Sequence, residues 1–194
     1  MGVRRSVTTW TLEMRQPEQL RPARRVAGLA VERAQEPVPE LSRFFYTAVG
    51  GDWYWTDRLG WSYADWQRWV GRDEYELWVG WWRGTPVGYL ELEAQSGPQV
   101  EVAYFGLLPQ FVGQGFGGHL LTAGVERAWA RAPARVWVHT CSLDDPQAKR
   151  NYEARGFQVC KVETAEQELP EQPPGPWPGA GARASLRTPG WPSR

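Results

Sequence analysis

Residues 101–121, EVAYFGLLPQFVGQGFGGHLL, run from an apolar strand through a glycine-rich turn straight into an amphipathic helix. Gly113, Gly115, Gly117 and Gly118 lack Cβ atoms, so the backbone there can bend sharply and bring several N–H groups against one anion. The positive end of the following helix lies behind those groups, so the segment predicts a phosphate site.

Two phosphate-binding patterns overlap on this turn. Gly113-x-Gly115-x-x-Gly118 is a literal GxGxxG, the dinucleotide fingerprint. That reading needs an acidic residue at the end of the next strand, about 20 positions on, to take the ribose hydroxyls. Here the next strand, residues 135–140, ends in His139-Thr140-Cys141. The alternative is Pro109-x-x-x-Gly113-x-Gly115-x-Gly117 followed by Leu120-Leu121, which resembles motif A of the GNAT superfamily of N-acetyltransferases. A second match follows in residues 145–157, DPQAKRNYEARGF, where Ala148, Tyr152, Gly156 and Phe157 agree with that superfamily's Asn-x-x-Ala-x-x-x-Tyr…Gly-Phe signature. Asp145 stands where the family usually has Asn, a departure that bears on an amide contact to pantetheine. Locally the segment predicts a short helix, with Asp145 as N-cap, Pro146 at the first position and Gly156 just past the end.

The resemblance implies an α+β fold, a mostly antiparallel mixed sheet splayed between its fourth and fifth strands and flanked by helices. It implies acetyl-CoA as co-substrate, with its pyrophosphate on the main chain of Val112, Gly113, Gln114, Gly115, Phe116, Gly117 and Gly118. Val112 replaces the Gln or Arg that the family often has there, so binding is expected to rest on backbone N–H groups. Phe105, Gly106, Leu107, Asp145 and Ala148 are the other expected cofactor contacts. Tyr152 is expected beside the CoA sulfur.

Acetyl transfer to an amine sets two further demands. A free amine with a pKa near 10 is mostly protonated at neutral pH, so a base must take its proton before attack. Glu101 is the candidate: it lies on the strand that carries a glutamate in many members, and Val100 and Val102 point to the opposite face. Glu91 and Glu93 on the preceding strand compete with it. The sulfur leaves as a thiolate of a thiol with pKa about 8.5, so a donor such as Tyr152 helps. An oxyanion N–H is expected between Tyr104 and Leu107, with a bulge at Gly106. Cys141 has no evident activating histidine, which favours direct transfer.

The acceptor is expected along GGDWYWTDRLGW, residues 50–61, which with Trp66 and Trp69 holds five of the 13 tryptophans. Asp52, Trp53, Trp55 and Trp61 could cradle an ammonium group by ionic and cation–π attraction. The competing reading is that these rings fill a core between short helices.

At 194 residues and 42% hydrophobic, the chain suits one domain, here residues 1–168, followed by a Pro/Gly-rich tail at 169–194 expected to be disordered. Basic and acidic residues cancel at 22 each, which argues against nucleic acid or an anionic membrane as partner. With no secretory signal, no membrane-spanning run, two cysteines and no metal-ligand spacing, the expectation is a soluble cytoplasmic protein without a metal, monomeric or homodimeric. Arginine far outnumbers lysine, a bias of GC-rich bacterial genomes.

Strands are expected at residues 7–14, 76–82, 87–93 and 100–108, and helices at 40–48 and 63–70, with no strong period across 15–38. Three functions stay open: an N-acetyltransferase acting on a primary amine of a small molecule or peptide, a non-catalytic acyl-CoA-binding module, and an NAD(P)-dependent enzyme.

Overall fold

The computed structural model describes residues 2–176. Its strands are β1 (Gly2–Met14), β2 (Leu29–Arg33), β3 (Tyr75–Trp82), β4 (Thr85–Gln95), β5 (Gln99–Leu107), β6 (Arg135–Cys141) and β7 (Gln158–Pro170). Helices α1 (Pro39–Gly50) and α2 (Tyr63–Val70) precede β3, while α3 (Phe116–Trp129) and α4 (Pro146–Ala154) flank β6. The strands form one sheet in the order β2-β3-β4-β5-β6-β1-β7. Every neighbouring pair is antiparallel except β5 with β6. A parallel pair needs a long crossover, and α3 supplies it, which is why the glycine turn sits between β5 and that helix.

Alternation along β4 divides the core. Leu90 and Leu92 face α3 and α4, joining Val100, Val102, Leu120, Leu121, Val125 and Tyr152. Tyr89 faces the other way and packs with Phe45, Val49, Val70, Leu77 and Val79 under α1 and α2. Period-2 side chains on a sheet covered on both faces produce this split.

The sheet opens at its parallel pair. The β5–β6 ladder holds only Gln99–Arg135, Val100–Val136 and Glu101–Trp137. Just beyond, Leu92 pairs with Val102 and Glu91 with Tyr104, so Ala103 is the extra residue of a bulge that bends β5 away from β6. The bulge was expected at Gly106. Gly106 instead serves packing, because a Cβ there would lie 2.4 Å from Val49 Cγ1.

Two strands differ from the sequence reading. β2 lies within the segment that carried no period, and its side chains are exposed or half-buried. β7 buries only Leu169 of its 13 residues and is a strand because its main chain pairs along β1. It runs beyond residue 168, and Gly175 N–H donates to the Gly51 carbonyl at 2.8 Å, so residues 169–176 return to the domain instead of forming part of a loose tail. The remainder of that tail, with Trp177 and Trp191, lies outside the described residues. None of the described helices is long and apolar enough to cross a membrane.

Candidate active site

Where β5 and β6 part, a cleft of about 540 Å³ opens between the glycine turn at one end and the 53–57 loop at the other. Val112, Gly113, Gly115, Gly117 and Gly118 line the first end. Gly113 and Gly115 have φ of +83° and +85°, the left-handed region that side chains with a Cβ disfavour. A Cβ at Gly113 would meet nothing within 4 Å. Gly115 is the N-cap of α3 and offers no side-chain cap, which leaves the first-turn N–H groups for an anion. Gln114 turns its amide onto the Gln110 carbonyl, and the Phe116 ring packs edge-on against Phe111 and Trp82. Those two residues therefore offer main chain only.

Phe105, Gly106 and Leu107 form the middle of the wall, facing Asp145, Ala148 and Tyr152. Asp145 caps α4 by accepting from Gln147 N–H at 2.8 Å, and Gly156 ends the segment at φ +101°. The Tyr152 ring lies edge-on to Phe105 and Phe157, and burial, reinforced by Asp144, pushes its hydroxyl pKa well above the tyrosine range. It is thus a neutral hydroxyl at physiological pH, able to donate.

Glu101 occupies the last paired position before the strands separate, and it is 7% exposed. It does not line the cleft. His139 does, with its side chain 51% exposed. The two are joined: His139 Nδ1 lies 3.0 Å from Glu101 Oε1. Gln95 Nε2 donates to the other carboxylate oxygen at 2.7 Å, and Trp137 Nε1 donates to Gln95 Oε1 at 3.2 Å. The hydrogen bond to Glu101 raises the His139 pKa above its ordinary value; partial burial opposes it, and the charges of Glu101, Asp144 and Asp57 add to it. The competing carboxylates are closed off. Glu91 is fully buried against Arg58 at 2.7 Å, and Glu93 pairs with Arg72 at 2.8 Å.

At the acceptor end, Trp53, Trp55 and Asp57 line the cleft, whereas Asp52 and Trp61 do not. An aromatic cage is present, but of the expected Asp52, Trp53, Trp55 and Trp61 only Trp61 belongs to it, and its cation is internal. The Arg58 guanidinium sits 4.1 Å from the Trp69 ring centroid, 4.2 Å from Tyr104 and 4.9 Å from Trp61. A cation from the chain itself occupies those faces, and Trp61 packs on it and against Trp66 and Trp69. Trp55 lies over Gly50, where a Cβ would come within 2.2 Å of its ring, and its Nε1 donates to Asp144 Oδ1 at 3.2 Å. Tyr46 and Tyr104 both donate to Asp57. His139, Tyr104 and Asp144 are cleft residues that motif reading passed over; the one available signal was period-2 alternation along β6, which puts His139 and Cys141 on one face.

A mostly antiparallel sheet, opened at one parallel pair beside a glycine turn, defines the class of acyltransferases that the two sequence motifs resemble. Residues 36–157 match the acetyltransferase (GNAT) family, and the chain belongs to it. No curated protein matches the chain. Its fold is similar to a GCN5-related N-acetyltransferase from Kribbella flavida, at 20% identity and TM-score 0.61 over 86% of this chain and 60% of that one. A second, from Sphaerobacter thermophilus, gives 20% identity and TM-score 0.58 over 88% and 53%. An aminoglycoside acetyltransferase from an uncultured soil metagenomic sample, in complex with sisomicin, gives 16% and 0.55 over 66% and 88%. The chain spans about half to two thirds of the length of the first structures it matches. At these identities the likeness concerns fold alone. The GxGxxG pattern therefore sits in an opened antiparallel sheet and not in the parallel doubly wound fold that a dinucleotide site requires.

Proposed function

We propose that the protein transfers an acetyl group directly from acetyl-CoA to a primary amine of a cationic small molecule or peptide. The observation that carries this reading is the single cleft that joins the glycine turn, the opened edge of β5 and an aromatic wall bearing Asp57 and Asp144. The turn supplies uncapped amides for the diphosphate. Beyond Glu101 the β5 edge has no strand partner on the β6 side, which leaves main-chain groups for the pantetheine arm and for the developing oxyanion. Tyr152, a neutral hydroxyl on the cleft wall, is suited to hydrogen-bond the departing sulfur.

The acceptor class follows from charge. Among the described lining residues there are Asp57, Asp144 and Asp145 but no lysine or arginine. Such a wall favours an ammonium substrate over an acidic one. Direct transfer is favoured because burial, and then Asp144, push the Cys141 thiol pKa up, the opposite of what a nucleophilic thiolate needs. Two free cysteines suit the reducing cytoplasm.

A thermal-shift screen followed by an amine panel tests the proposal. Acetyl-CoA and CoA are expected to raise the melting temperature and NAD and NADP to leave it unchanged. Diamines and lysine-rich peptides are then expected to release free thiol at least ~10-fold faster than acidic amines, about 1.4 kcal/mol of discrimination. Binding of CoA without thiol release from any amine would instead indicate an acyl-CoA-binding module.

A further inference from the structure

We infer that His139, not Glu101, is the base that takes the proton from the acceptor amine, and that Glu101 acts through it as a positioning residue. The inference rests on the proposed acetyl transfer, and its ground is the geometry at the point where the sheet opens. Glu101 is held behind the cleft wall, with Oε2 occupied by Gln95 and Oε1 by His139. A carboxylate only accepts, so the Nδ1 facing it must carry the hydrogen, and the neutral ring then keeps its lone pair on Nε2. The ring that carries this free nitrogen lines the cleft with half of its side chain exposed. Trp137 holds Gln95, Gln95 holds Glu101, and Glu101 holds the ring, so one tautomer and one orientation are selected before substrate arrives.

The other groups in the wall are committed elsewhere. Asp57 accepts from two tyrosines. Asp144 accepts from Trp55, from the Thr140 hydroxyl and from Cys141 N–H. Tyr104 and Tyr152 are pushed far above neutrality, mainly by burial. Among the described lining residues, His139 alone offers an unengaged basic ring nitrogen to the cleft. The charged groups that act on it are Glu101 from β5, Asp144 from the loop after β6 and Asp57 from the loop after α1. On β1 the uncharged Thr11 stands opposite it; of the two flanking positions on that face Thr9 is uncharged and Glu13 is neutralised by Arg15 and Arg135.

The step balances. His139 Nε2 takes one proton from the ammonium, directly or through a water, and later releases it to solvent. The amine lone pair forms the C–N bond at the thioester carbonyl carbon. The C–S bond then breaks with its electron pair on sulfur, which receives the second amine proton, with Tyr152 as the nearby hydroxyl. The products are the N-acetyl amide, the free thiol and one proton.

The test compares wild type, His139→Ala and Glu101→Gln at saturating acetyl-CoA, measuring kcat against pH and acetyl-CoA affinity by calorimetry. Wild-type turnover in the same assay establishes acetyl transfer, so the variants report on the base alone. His139→Ala is expected to lower kcat by about 10²–10⁴ with affinity for acetyl-CoA unchanged, and added imidazole is expected to restore part of the rate. Glu101→Gln is expected to lower kcat less and to move the acidic limb of the profile to lower pH, because it removes the partner that raises the His139 pKa. His139→Ala with wild-type kcat, or Glu101→Gln as damaging as His139→Ala with the acidic limb unmoved, would overturn the inference.

Discussion

Arg58→Ala is expected to destabilise the fold by about 3–5 kcal/mol, the usual cost of removing one partner from a buried ion pair. Arg58 is 3% exposed and Glu91 fully buried. Glu91 Oε1 already lacks a hydrogen-bond partner, so loss of Arg58 leaves a carboxylate in apolar surroundings with nothing on either oxygen. The rings of Trp61, Trp69 and Tyr104 lose their cation at the same time. Burial already holds the Glu91 pKa above its ordinary value despite Arg58, and without Arg58 it rises further. The folded variant then binds a proton that the unfolded chain releases, so its stability is greatest below the ordinary glutamate range and falls as pH rises through the folded-state pKa. Denaturant titrations at pH 5 and 8 should therefore find a larger deficit at pH 8. The double change Arg58→Met with Glu91→Leu should recover most of the loss. A deficit under ~1 kcal/mol, typical of a surface change, would contradict this account of the tryptophan-rich loop.

Gly113→Val combined with Gly115→Val is expected to weaken acetyl-CoA binding by at least about 100-fold, or about 3 kcal/mol. Both residues hold φ near +85°, where a β-branched side chain is a genuine outlier, so the turn must relax to another path. Relaxation removes the convergence of N–H groups, and each charge-assisted hydrogen bond lost is worth about 1.5–3 kcal/mol. Val112 provides no charged side chain to compensate. Apart from Phe116, the buried face of α3 lies a turn or more away, at Leu120, Leu121 and Val125, so the fold should persist. Calorimetry with CoA and a melting curve separate the two effects. Unchanged affinity would mean that the diphosphate lies elsewhere.

Much of the fold was legible because its elements announce their burial. β3, YELWVGWW, and β4 are apolar or alternating under two layers of helix, so their positions followed from periodicity, whereas the reciprocal cap of Ser62 and Asp65 that opens α2 emerged only in the structure. β2 and β7 were not legible, since both run with exposed side chains and owe their structure to main-chain pairing. The glycine turn was readable because backbone conformation is written in residue type. Pairings across the fold were not: His139 meets Glu101 from 38 residues away through a three-pair parallel ladder, and Arg58 meets Glu91 from 33 residues away. A run of tryptophans and aspartates looks the same whether its cation is a substrate or an arginine within it.

The central claim is that main-chain amides of residues 112–118 hold a diphosphate so that a thioester lies where β5 and β6 separate. A crystal structure with acetyl-CoA tests it most directly. The account predicts diphosphate oxygens within hydrogen-bond distance of those N–H groups, and the acetyl carbonyl beside β5 between Tyr104 and Leu107, on the side that His139 faces. An empty turn with the coenzyme bound elsewhere would contradict it.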